Sequence, residues 1–209
     1  WSLFGKIIII ILIQIGGMGV VMIGVTIARL SGKKIGLMQR STLQETISAP
    51  QVGGVVKLAW FIIKTAFLIE LIGAVLLSLV FIPEFGVLKG IAYSVFHSIS
   101  AFCNAGFDLM GEKQPLSSLT LYSENIIVNV VIMALIILGG IGFLTWEDIK
   151  KNKFHFRKYR MQSKVILVFT VFLIVVPALY FYFAELGAPV FSGLSARQRV
   201  LGAAFQSVT

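Results

Sequence analysis

The chain alternates long apolar runs with polar ones, and the lengths of the runs carry most of its structural information. Residues 1–28 form a first apolar run whose only charge, Lys6, sits near one end, where a long side chain can reach an interface. In the polar stretch 29–57, Ser41-Thr42-Leu43-Gln44 fits a capping box and predicts a short surface helix. Leu58–Ile82 is a second apolar run, carrying Lys64 and Glu70 and closed by Pro83; Asn125–Thr145 is a third. The basic stretch 146–164 leads to a fourth, Val165–Phe183, which Pro177 is expected to bend and which ends in an aromatic belt, Tyr180-Phe181-Tyr182-Phe183. Runs of about 20 apolar residues match a bilayer core of about 30 Å.

One apolar run is too short to match it. Gly90–Phe102 gives only about 18–20 Å of helix. The chain then turns polar and glycine-bearing through Cys103-Asn104-Ala105-Gly106-Phe107-Asp108-Leu109-Met110-Gly111. Irregular backbone survives at membrane depth only where protein buries it or water reaches it. This is how a pore hairpin is built. It predicts that the main-chain carbonyls of Asn104, Ala105, Gly106 and Phe107 line part of an ion path. A cation stripped of water needs oxygen ligands in return, and neutral carbonyl dipoles hold it without trapping it. Gly106 suits such a strand because it accepts backbone angles that other residues resist. The short helix would aim its C-terminal carbonyls, about half a negative charge, at the same place.

Composition supports this reading. The 209 residues are 57% hydrophobic and 13% charged, against about 25% charged in soluble domains. Mean hydropathy is +0.94. A net charge of +9 does not imply nucleic acid, because the cations concentrate in two loops between apolar runs. Arg29, Lys33, Lys34, Arg40 and Lys57 lie in the first, and Lys150, Lys151, Lys153, Arg157, Lys158, Arg160 and Lys164 in the second. These loops are expected on the cytoplasmic side of the plasma membrane, and residues 84–124 outside. There Glu84, Asp108, Glu112 and Glu124 outnumber Lys89 and Lys113, so an acidic mouth is expected to gather cations. The single cysteine, Cys103, excludes an internal disulfide. Both ends, at Trp1 and at Phe205–Thr209, are expected to be cut from a longer protein.

Two motifs recur. Leu12–Gly19 matches Leu135–Gly142 around Gly-Gly-x-Gly, and Phe96–Ser100 matches Phe205–Thr209. Their order and sidedness predict parallel repeats. Residues 1–28 would be the last span of a first unit, and 58–145 a whole span–pore hairpin–span unit. Residues 165–209 would then be the first span and pore-helix start of a third. The expected architecture is an all-α polytopic membrane protein with such units around a central pore, potassium-channel-like. Phe96–Gly111, Glu70-Leu71-Ile72-Gly73-Ala74 and the twin Gly-Gly-x-Gly motifs resemble the Trk/Ktr/HKT superfamily of potassium transporters, nearest its bacterial Ktr and Trk membrane subunits. The resemblance implies that Gly106 is the filter glycine of the second unit. It also implies potassium as the transported ion, with sodium coupling left open, and a homodimer. A cytosolic nucleotide-binding regulatory subunit would dock on loops 29–57 and 146–164. No enzyme activity, organic cofactor or resident metal is expected.

Around the filter several roles stay open. Asn104 either serves the filter with its side chain or braces a neighbouring strand. Asp108 either attracts cations at the mouth or is a plain loop residue. His97 and Ser98 are expected to brace the pore helix, and Cys103 to support the filter. The side chain of Phe107 is expected to pack. Glu70, in mid-span, is a functional candidate by position: it either holds hairpin amides or coordinates a cation. The glycines at 16–19 and 139–142 permit close packing or a bend. Two rivals remain. One is a secondary transporter for another solute, with broken helices. The other is an intramembrane hydrolase using Ser98 or Ser100, with Glu70 as its only candidate base.

Overall fold

The computed structural model describes residues 2–19, 22–24, 26–27, 31, 36–47, 54–115, 117–153, 155–185 and 193–209. Arg29, Lys33 and Lys34 of the first basic loop lie outside these residues. Among the described residues every regular element is a helix. The helices are α1 (Leu3–Met18), α2 (Leu37–Thr46), α3 (Val55–Phe85), α4 (Val87–Phe102), α5 (Ile126–Gly140), α6 (Phe143–Asn152), α7 (Met161–Tyr180) and α8 (Ala196–Val208). Helices α3 and α7 are long and apolar enough to cross a membrane, and α5 with α6 passes the same test only as a bent pair. This is an all-α membrane protein.

Local chemistry starts and stops these elements. Ser2 Oγ accepts Gly5 N–H at 3.1 Å to cap α1, and Asn125 Oδ1 accepts Val128 N–H at 3.1 Å to cap α5. On α8, Ser195 and Gln198 form a reciprocal capping box at 3.1 and 2.9 Å. The box expected at Ser41–Gln44 is not the start of α2. That helix begins after Gly36, whose N–H donates to Gln39 Oε1 at 3.2 Å, and Thr42 bonds back to Met38 O inside it.

Several expected boundaries move. Pro83 lies inside α3, which runs on to Phe85; its missing N–H leaves Leu79 O without the usual helical donor. The short helix begins at Val87, three residues before Gly90. The third apolar run breaks near Gly140, and α6 leaves the axis of α5 at 97°, so 141–145 do not continue the span. Residues 146–164 are not an open loop: α6, a short turn of helix at Phe156–Lys158 and the start of α7 occupy them. Pro177 sits within α7, followed by a π-helical turn at Phe181–Glu185. A proline leaves the carbonyl four residues earlier without its usual donor. Ser207 Oγ of α8 lies 3.3 Å from that carbonyl, Leu173 O, and donates to Ile174 O at 2.6 Å.

Helix α4 folds back antiparallel along α3. A methyl on Gly90 would stand 2.6 Å from Ile82 Cα, and one on Gly73 2.6 Å from Ser98 Oγ. The C-terminus of α4 therefore lies beside the middle of a helix about 46 Å long. The core gathers around this hairpin. Phe81, Leu77, Phe96, Met110, Val128 and Leu135 are buried, and Phe81 meets His97 and Tyr122 edge-on at 5.5 and 5.4 Å. Helix α7 is apolar on all sides, with Val168, Phe169, Val171, Phe172 and Leu173 more than half exposed, as suits a helix set against lipid or further helices.

Candidate functional site

The end of α4 is closed by a Schellman motif. Asn104 adopts φ +52°; its N–H donates to Ala101 O at 3.1 Å, and Ala105 N–H reaches back to Ser100 O at 2.9 Å. Asparagine tolerates this left-handed position better than most residues. Its amide also approaches Ile136 O of α5 at 3.4 Å. These contacts terminate α4 and bring the turn against α5.

From there the chain runs back along α4 without helical structure as far as Asp108. Two side chains of α4 hold it. Ser100 Oγ donates to Phe107 O at 2.6 Å. His97 lies 2.7 Å from Tyr93 O through Nδ1 and accepts Leu109 N–H at 3.3 Å through Nε2. A carbonyl only accepts and an amide only donates, so this geometry requires the neutral tautomer with its proton on Nδ1. Ser98 Oγ donates to Glu70 O at 2.6 Å and ties α4 to α3. The hydroxyls of Ser98 and Ser100 thus donate to main-chain carbonyls in buried positions and not to the Glu70 carboxyl, the base that the hydrolase reading requires.

What remains free is a run of backbone oxygens. Among the described residues, no hydrogen bond reaches the carbonyls of Asn104, Ala105 or Gly106. Phe107 O differs: Ser100 occupies one of its lone pairs, so it is the least available of the four expected filter oxygens. Gly106 has φ +72°, and a methyl there would meet nothing within 4 Å. Backbone angle, not crowding, demands glycine at this position. The turn stands between two cavities. One, of about 600 Å³, is lined by Gly106, Phe107, Asp108, Lys6 and Glu112. The other, of about 320 Å³, is bounded by Asn104, Gly106, Ile132, Ile136 and Phe205 among others.

Glu70 does not hold hairpin amides with its carboxylate. Its side chain, 4% exposed, receives the Gln14 amide of α1 at 3.0 and 3.1 Å, while its main-chain oxygen takes the Ser98 bond. Gln14 was legible as a polar residue in an apolar run, but nothing in the sequence linked it to Glu70. Cys103 packs against α1, where a methyl on Gly17 would stand 2.4 Å from its Sγ. Asp108 caps the next turn, accepting Met110 N–H at 2.9 Å. The acidic mouth is largely paired. Glu84 binds Lys113 and Tyr122, while Glu112 binds Lys89 at 2.6 Å, Lys6 at 3.4 Å and the Tyr93 hydroxyl.

The glycine motifs do both things open to them. Gly19 and Gly142, at matched positions, share nearly one backbone geometry, φ +83°, ψ 131° and φ +81°, ψ 150°, and each ends an apolar helix or begins the one after the bend. Gly139 presses on the site itself, since a methyl there would fall 1.8 Å from Phe102 O. Trp146 of α6 donates to Leu138 O at 3.1 Å and packs its ring at a tilt against Phe102, 5.7 Å between centroids, fixing the bend beneath the hairpin.

The sequence family described as TrkH, cation transport protein, matches residues 2–209. The chain belongs to this family. Among curated TrkH-like relatives, the potassium/sodium uptake protein NtpJ of Enterococcus hirae is 40% identical over 209 residues, covering 100% of this chain and 45% of the relative. The Ktr system potassium uptake protein B of Bacillus subtilis is 37% identical over 210 residues, with 100% and 46% covered. Its namesake in Vibrio alginolyticus is 32% identical over 213 residues, with 100% and 45% covered. The chain spans about half the length of these relatives.

Proposed function

We propose that this chain belongs to a protein that takes up potassium across the cell membrane, and that Asn104, Ala105 and Gly106 supply part of its selectivity filter through main-chain oxygens. The observation that carries the reading is the run of three unpartnered carbonyls. It sits where a helix ends halfway along its antiparallel neighbour, between two cavities, in a TrkH-family chain. Phe107 O already accepts the Ser100 hydroxyl and is left out of the three. Ser98, Ser100, His97, Cys103 and Glu70 hold the frame, and Asp108 stands at the mouth as a turn cap. The relatives' names carry potassium in each case and sodium in one, so both ions belong in the test. The protein works as a transporter rather than an enzyme and needs no organic cofactor.

The finer architecture is part of the same proposal. Residues 58–145 form one span–pore hairpin–span unit, with 1–28 and 165–209 belonging to its neighbours around one pore. The shared geometry of Gly19 and Gly142 supports this. So does the way Ser98 and Ser207 each bond a carbonyl of the preceding long helix. Segments 29–57 and 146–164 face the cytoplasm and 84–124 the exterior of the plasma membrane. The protein acts as a homodimer with a cytosolic nucleotide-binding subunit docked on the inner basic segments. The test is potassium and sodium uptake in a transport-deficient bacterium expressing the full-length protein. Rescue by the wild type and increased sodium uptake for Gly106→Ser are expected; unchanged selectivity would remove Gly106 from the filter.

A further inference from the structure

The larger cavity opens beside Gly106, and its rim carries an ammonium group. Lys6 of α1 lines that cavity together with Glu112 and Asp108. A free cation standing there would repel potassium approaching the Gly106 carbonyl. The Lys6 ammonium is paired at 3.4 Å with Glu112, whose carboxylate also holds Lys89 at 2.6 Å and accepts from Tyr93 of α4. Lys6 leans on the Tyr93 ring as well, 5.4 Å from its centroid. The side chain of Glu112 is half exposed and that of Lys6 about a quarter. Ion pairs this open to water add little to stability, yet charges at the mouth of a low-dielectric cleft strongly change the local concentration of a mobile ion.

We propose that Glu112 controls cation approach to the filter by neutralising Lys6, which lines this cavity, and Lys89, which it also binds, so that the Lys6–Glu112 pair sets the half-saturation of uptake. The inference rests on the reading of Asn104–Gly106 as filter. Two changes at the same rim should act in opposite directions. Glu112→Gln keeps an oxygen for the Tyr93 hydroxyl but leaves two unneutralised ammonium groups; Lys6→Met leaves Glu112 bound to Lys89 and Tyr93.

The experiment is rubidium uptake by cells expressing the full-length protein, with half-saturation and maximal rate read separately at low ionic strength and with added choline chloride. Glu112→Gln should raise the half-saturation concentration by about three-fold and Lys6→Met should lower it by about two-fold. Both shifts should shrink as salt shortens the screening length from about 30 Å to about 8 Å. A fall in maximal rate with half-saturation unmoved, or shifts of the same sign in both variants, would overturn the proposal. If Glu112→Gln fails to reach the membrane, the Lys6→Met shift decides alone. Gly106→Ser is run alongside. Altered selectivity there with no rim effect defeats only this inference, whereas unaltered selectivity defeats the filter reading beneath it.

Discussion

At the scale of single residues, the site is built by side chains that serve the backbone. Asn104 illustrates this: the sequence left its role between ion contact and bracing, and its left-handed φ with the Schellman bonds favours the second. Alanine at this position must enter a region that costs non-glycine residues about 1–2 kcal/mol, whereas glycine enters freely. Asn104→Ala is therefore expected to lower stability by about 1 kcal/mol and Asn104→Gly by less, read as thermal unfolding of the detergent-solubilised protein. An equal loss in both would show that the amide bond to Ile136 O, not the backbone angle, is what asparagine supplies. His97 tells the same story. It is 2% exposed, uses both ring nitrogens on main-chain groups, and has no capacity left for an ion.

At the scale of elements, the decisive joint is between the end of α4 and the break after α5. Gly139 lets the two backbones meet, and the 97° turn then carries Trp146 beneath Phe102. Gly139→Ala forces α5 away from the Phe102 carbonyl and from the filter segment just beyond it. Overpacking of this kind costs about 1–3 kcal/mol. The variant should unfold at lower temperature than the wild type and discriminate less between potassium and sodium. Gly111→Ala, where a methyl meets nothing within 4 Å and φ is not positive, should change neither. The sequence had allowed the glycines a bend or close packing; the structure uses them for both. No helical periodicity distinguishes a straight apolar run from one that breaks, so Asn125–Thr145 read as one span.

At the scale of the whole molecule, charge is arranged by topology. The outer segments looked acidic as a list of residues, but the fold pairs Glu84 with Lys113 and Glu112 with Lys89 and Lys6. The carboxyl of Glu112 is pulled from 4.5 down to about 2, first by the Lys89 hydrogen bond and then by that of Tyr93; desolvation opposes them, and Lys6 adds a lesser pull. A group lowered on folding contributes its stabilisation fully above its unfolded value and loses it as pH falls through the folded one. The Glu112 carboxyl should therefore stay ionised between external pH of about 5 and 7, and its hold on the rim weaken only as pH drops from about 4.5 toward about 2. Half-saturation of uptake that stays flat across the first window is the expected outcome. A difference between wild type and Glu112→Gln that vanished within that window would show that the carboxylate is not held.

The sequence by itself determined the class: apolar runs long enough for a bilayer, one run too short for it, a glycine-bearing turn at its end, and twin motifs that resemble one family. These features are legible because bilayer thickness and backbone sterics act on consecutive residues. Only the tertiary structure decided which oxygens of that turn accept no hydrogen bond among the described residues. Phe107 O is taken by Ser100 while Asn104, Ala105 and Gly106 keep theirs. Only the tertiary structure decided, too, that Glu70 answers to Gln14 and Lys6 to Glu112, across 56 and 106 positions of chain. Hydrogen bonds and ion pairs depend on distance in space, and along an apolar helix nothing in the local pattern records which polar residue of another helix will stand at the same depth.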